Sequence, residues 1–158
     1  VTGRMDRKAA VGGAGRRPLA RGLVGVVGGA VQYRGIGPRS EGEITVPPVN
    51  QQVLGRAFLK GMYEDAYFPD HVVDRGRAIL LGLCERIEAE QPPDLAALYA
   101  LTEVATQEFN ALEAEFEAAG SEIETVAREV IAEDFRFVAA AYGFAEADVE
   151  ELIAARDW

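Results

Sequence analysis

The sequence predicts an all-α fold: a compact bundle of three long helices with short helices before and after them, preceded by a disordered N-terminal segment. Three observations carry that expectation. Downstream of residue 48, apolar residues recur at helical spacing over three long stretches. Each stretch is bounded by proline, glycine or a residue suited to capping. No stretch in 46–158 alternates apolar and polar residues for long enough to predict a strand.

Composition supports one domain. The chain has 158 residues, 49% of them hydrophobic, and at that length folding buries about two-thirds of the surface of the unfolded chain. A single Cys rules out an internal disulfide framework and fits a reducing compartment, so the expected location is cytoplasmic. One His is too few for an imidazole-based zinc site or a Glu-x-x-His di-iron bundle, and the sequence predicts no metal and no cofactor.

Charge divides the chain in two. Residues 1–45 hold eight Arg and Lys against three acidic residues, a balance of +5. Residues 46–158 hold 8 basic and 23 acidic residues, a balance of -15. A body this acidic repels nucleic acid and anionic membranes, and it favours a basic protein partner if it has one. Solubility alone accounts for such a charge more simply, since net charge speaks to solubility and association rather than to fold.

The elements follow in order. Residues 1–48 read as a basic Gly/Arg-rich extension, either disordered or translated from a start placed too early, with Val46 as an alternative start. A secretory reading would take Arg16, Arg17 and Arg21 as the charged region and Leu23–Val31 as the apolar core, but that core is short and interrupted by glycine. A membrane span needs about 20 apolar residues. After Pro47-Pro48, Gln51 to Met62 reads as a short helix with Val53, Leu54, Ala57 and Phe58 on one side. An aromatic and acidic turn follows, in which Pro69 disfavours helix at Phe68 and Asp70 is placed to cap the next helix.

That helix runs from about His71 to Glu90 on Val72, Val73, Ile79, Leu80, Leu83, Cys84 and Ile87. Gly76 on the same side points to close approach of a neighbouring helix, since a mid-helix glycine costs about 1 kcal/mol relative to alanine. Gln91-Pro92-Pro93-Asp94 separates it from a third helix, about Leu95 to Ala118, with Leu95, Leu98, Leu101, Ala105, Phe109, Leu112 and Phe116 on one stripe. Thr102 lies within that stripe, and Thr106 and Glu113 at its edge.

The fourth helix opens at Ser121-Glu122-Ile123-Glu124, the pattern of a capping box between Ser121 and Glu124, and closes at Gly143. Its apolar positions are Ile123, Val126, Ala127, Val130, Ile131, Phe137, Val138 and Ala141. At about 100° per residue, Asp134 points close to the middle of that stripe. A last short helix spans about Glu146 to Ala155.

Three stretches carry a likeness: Met62-Tyr63-Glu64-Asp65-Ala66-Tyr67-Phe68-Pro69-Asp70, then Ser121-Glu122-Ile123-Glu124-Thr125-Val126-Ala127-Arg128-Glu129, and Asp157-Trp158. Together they resemble a small bacterial family of uncharacterised proteins over about residues 50–158. The resemblance implies neither an activity nor a catalytic residue.

Among chemistry-bearing residues, Asp134 stands out. An ionised carboxylate in a helical core must be paired or hydrogen-bonded. An Arg, a Tyr or Thr hydroxyl, or free amides at a helix start would satisfy it; the amides beside Asp70 or the hydroxyls of Tyr63 and Tyr67 are candidates. The competing reading is a buried acid lining a pocket. His71, flanked by Asp70 and Asp74, has acid-base or ligand capacity on paper, though an exposed His near a helix start is usually neither. Glu129 with Glu133, and Glu113 with Glu117, sit one turn apart and suit a hard cation only if they converge. Cys84 reads as a small buried hydrophobe.

The candidate binding patch is Tyr63, Asp65, Tyr67, Phe68, His71, Asp134 and Trp158, aromatic anchors among acids. The expected function is a protein-interaction module for a basic macromolecular partner, immunity-like or regulatory. The alternative is an enzyme or small-ligand binder with a pocket around Asp134, Tyr63, Tyr67 and His71.

Overall fold

The structure is a computed structural model that describes residues 46–158. The expectations for residues 1–45 lie outside the described residues. Six helices follow one another among the described residues: α1 (Gln51–Leu54), α2 (Lys60–Tyr63), α3 (Asp70–Glu90), α4 (Leu95–Ala118), α5 (Thr125–Ala141) and α6 (Val149–Leu152). No strand interrupts them. The all-α bundle of three long helices with short helices at either side stands as the sequence predicts.

Helices α3 and α4 form an antiparallel hairpin, the closest pair in the body. Arg75 reaches Glu115 and Arg86 reaches Glu108, each at 2.9 Å, so early positions of α3 lie opposite late positions of α4. Gly76 makes the contact close. A Cβ there would lie 2.9 Å from Leu59 Cδ1 and 3.2 Å from Phe109 Cε1. Helix α4 starts on Asp94, whose carboxylate accepts the Ala97 amide at 2.9 Å, a side-chain N-cap.

Helix α5 returns antiparallel to α4, with Phe109 and Phe135 ring centroids 5.9 Å apart. Its buried face is Ala127, Ile131, Asp134, Phe135, Val138 and Ala139. Phe135 is fully buried, while Val126, expected on the inner face, is exposed. The stripe is rotated towards Phe135 relative to the sequence expectation. The far end closes as expected: Gly143 has φ 91°, and the Phe144 amide reaches back to the Ala139 carbonyl at 2.9 Å.

Contact between α5 and the α3–α4 hairpin runs largely through α2, which packs on α3 and α5, and α6, which packs on α4 and α5, with α1 against α5. Below α6, the buried Thr106 hydroxyl donates to the Thr102 carbonyl at 2.9 Å and lies 3.3 Å from that of Leu152. Asn110 of α4 ties down the following segment, its amide donating to the Ala155 carbonyl at 2.8 Å and its oxygen accepting the Asp157 amide at 3.2 Å.

Three local expectations are corrected. The single helix expected over Gln51 to Met62 is two single turns, broken at Gly55 and by Leu59 at φ 57°. The capping box does not form. Ser121's amide ends α4 instead, bonded to the Phe116 carbonyl at 2.9 Å, and its hydroxyl is buried without a hydrogen-bond partner. The Glu124 amide, which the box would cap, goes to the Glu122 carbonyl at 3.0 Å, and Glu113 of α4 takes the neighbouring Ile123 amide at 3.1 Å. Finally, Asp70 is the first residue of α3 rather than its cap; the Pro69 carbonyl accepts the Val72 and Val73 amides.

Candidate functional site

Asp134 is 2% exposed and both of its oxygens are engaged. Oδ1 accepts Nε of Arg56 at 3.0 Å and Nη2 at 2.7 Å, and Oδ2 accepts the Leu59 amide at 2.7 Å. The partners are of the expected kinds, an arginine and a free amide at a helix start. They are not the expected residues: the Tyr63 hydroxyl goes to Asp74 at 2.5 Å. Leu59 is the N-cap residue of α2, and no side chain within its own turn satisfies that helix end. The Arg56 guanidinium also lies 4.5 Å from the Phe137 ring centroid, a cation–π contact.

Burial raises the Asp134 carboxyl above its ordinary value, and the Leu59 amide and Arg56 pull it back. Burial likewise raises Glu113, opposed by the Ile123 amide. The Tyr63 hydroxyl is pushed up to about 12 by burial and by its bond to Asp74. The Cys84 thiol is pushed up to about 12 by burial, which leaves it protonated and inert at neutral pH.

Of the expected patch, Tyr63, Asp65, Tyr67, Phe68 and His71 lie along the end of α2, the following turn and the start of α3. Tyr67 is 42% exposed and packs edge-on against Phe68, ring centroids 5.0 Å apart. Asp65 accepts the Tyr67 amide at 2.9 Å and shapes the turn. Glu64, Asp65, Asp70, His71 and Asp74 are all exposed beside it. Phe68 is buried against Phe116, and Trp158 is buried against Phe109, so neither offers a partner a face. Asp134 is enclosed with Arg56 and Leu59. The structure therefore leaves Asp65, Tyr67 and His71 exposed and Tyr63 half-buried, and places Asp134, Phe68 and Trp158 in the interior.

At the opposite end of α3 a second polar group escaped the sequence reading. Glu88 accepts the Val49 amide at 2.9 Å, the Asn50 amide at 3.0 Å and the Tyr142 hydroxyl at 2.6 Å. Asn50 donates to the Ala141 carbonyl at 2.9 Å and caps α1 through the Gln52 amide. Asn before a short apolar turn is a recognisable capping signal; the role of Glu88, 38 residues later, has no local signal.

Among the described residues, no group of three His, Cys, Asp or Glu side chains could hold a metal ion. No described helix is long and apolar enough to cross a membrane. Residues 52–158 match the family of unknown function DUF5713. No curated protein and no solved structure matches the chain.

Proposed function

The chain belongs to the family of unknown function DUF5713, and from that premise we propose that its acidic helical body is a protein-interaction module for a basic macromolecular partner, in an immunity-like or regulatory role. The observation that carries the reading is the exposed Tyr67 ring set among exposed carboxylates at the α2–α3 turn, on a body with a balance of -15. An aromatic anchor ringed by charge of one sign suits a partner that presents lysine or arginine around an apolar notch. Long-range attraction raises the rate of encounter, and the ring supplies contact area once docked.

No observation favours the pocket reading. It needs Asp134, Tyr63, Tyr67 and His71 to converge, whereas the Asp134 oxygens are engaged by Arg56 and Leu59 and the Tyr63 hydroxyl by Asp74. The test is capture of partners by the full chain, followed by binding of the purified partner across a salt series. Tyr67→Ala is expected to weaken binding about tenfold or more, and Asp70→Lys to slow association in low salt. A partner that binds both variants as tightly as the unmodified chain would refute this surface.

A further inference from the structure

The segment from Pro48 to Tyr63 sits on the body as a ligand sits in a groove. Helices α1 and α2 are single turns, too short to hold themselves in isolation. Much of the hydrogen bonding that fixes the segment comes from elsewhere. Glu88 of α3 accepts the Val49 and Asn50 amides, Asp134 of α5 accepts the Leu59 amide and the Arg56 guanidinium, and Asp74 of α3 accepts the Tyr63 hydroxyl. Between these attachments Val53, Phe58, Leu59 and Met62 are fully buried. Leu59 is held at φ 57°, a conformation that a leucine rarely takes unless its surroundings impose it.

We propose that the groove between α3 and α5 is a receptor for an arginine-bearing amphipathic segment of another protein, and that residues 48–63 are its built-in, displaceable occupant. The chemistry it recognises is that of the occupant. A guanidinium pairs with Asp134 over the Phe137 ring, apolar anchors follow two, three and six positions later, and free backbone amides meet carboxylates on both walls. The Arg56 side chain keeps 29% of its surface exposed, so the cationic position is reachable without opening α4. This goes beyond the exterior reading above: there a partner meets Tyr67 and the outer acids, here it enters the groove. Each can fail while the other stands.

The test uses the full chain and a fluorescent synthetic peptide with the sequence of residues 48–63. Asn50→Ala loosens the built-in occupant alone: it removes the side chain that donates to the Ala141 carbonyl and caps α1, and it leaves Glu88, Asp134 and the apolar wall of the groove in place. In that variant the amides of 51–63 should exchange with solvent about tenfold faster, while those of α4 keep their protection. The peptide should bind the variant about tenfold more tightly than the unmodified chain, because less of the groove is occupied in cis. A peptide with Ala at the arginine position should bind neither. Val53→Ala, which shrinks a buried anchor of the occupant and leaves both walls untouched, serves if Asn50→Ala fails to fold. Exchange that speeds up equally in 51–63 and α4 overturns the proposal, because the segment is then part of one cooperative core. So does a segment that opens alone but leaves the peptide unbound, or a peptide that binds without its arginine. A dimer formed by exchange of the segment would assign the groove to a second copy and also overturn it.

Discussion

Asp134 joins parts of the chain 75 residues apart, and two substitutions separate its hydrogen bonding from its charge. Asp134→Asn keeps an acceptor for the Leu59 amide, and Arg56, part-exposed, retains Glu133 at 3.7 Å. Asp134→Leu leaves the amide buried and unpaired, which costs about 1–3 kcal/mol in addition to the lost ion pair. Thermal melts are expected to show a clearly larger fall for Leu than for Asn; equal, large falls would mean that the charge matters and the hydrogen bond does not. The pH dependence follows from the raised carboxyls of Asp134 and Glu113. A carboxyl raised in the native state binds protons there before it does in the unfolded chain. Stability from these two groups therefore increases as pH falls through their native values and levels off below their ordinary ones, 3.8 and 4.5. Melting temperature should rise on acidification from neutral pH towards that range, less so in Asp134→Asn. A steady fall over the same range would mean that Arg56 outweighs burial. Ser121 gives the opposite kind of test. Its buried hydroxyl has no partner, so Ser121→Ala should be neutral or stabilising, whereas Glu113→Ala should cost about 1 kcal/mol by orphaning the Ile123 amide.

At the scale of elements, the long helices were legible because their signals are local. Leu95 to Ala118 is bounded by Asp94 at one end and Gly120 at the other, and the observed α4 has those limits. The break between α1 and α2 was not legible, because what stabilises the Leu59 turn is a carboxylate on α5. The same reason explains Ser121: the Ser-x-x-Glu pattern was present, but the end of α4 claimed the Ser121 amide first. Of the site, the inward Asp134 could be read from its phase on the helix, and its partners could not. Gly76→Ala drives a Cβ into Leu59 and Phe109, and the expected net loss is about 1–2 kcal/mol despite the gain in helix propensity. Gln91 ends α3 at φ 47°, so Gln91→Gly should stabilise by up to about 1 kcal/mol in urea melts, since glycine adopts that conformation without strain.

Over the whole molecule, 23 acidic residues face 8 basic ones within 46–158, and self-repulsion works against the compact state. Screening should relieve it: raising ionic strength from about 10 mM to about 200 mM shortens the Debye length to below 10 Å and is expected to raise the melting temperature by a few degrees. A melting temperature that falls with salt would show instead that ion pairs such as Arg86–Glu108 dominate the balance.

The Leu59–Asp134 bond also sets an order of events on the ribosome. Residues 48–63 emerge early, yet half of their seat is translated only with α5. The α3–α4 hairpin can pair as soon as it clears the exit tunnel, while Phe58, Leu59 and Met62 must wait for the later-translated wall of their groove. A nascent chain arrested before residue 134 would carry an unhoused oily segment ahead of the α3–α4 hairpin, a ready client for chaperones.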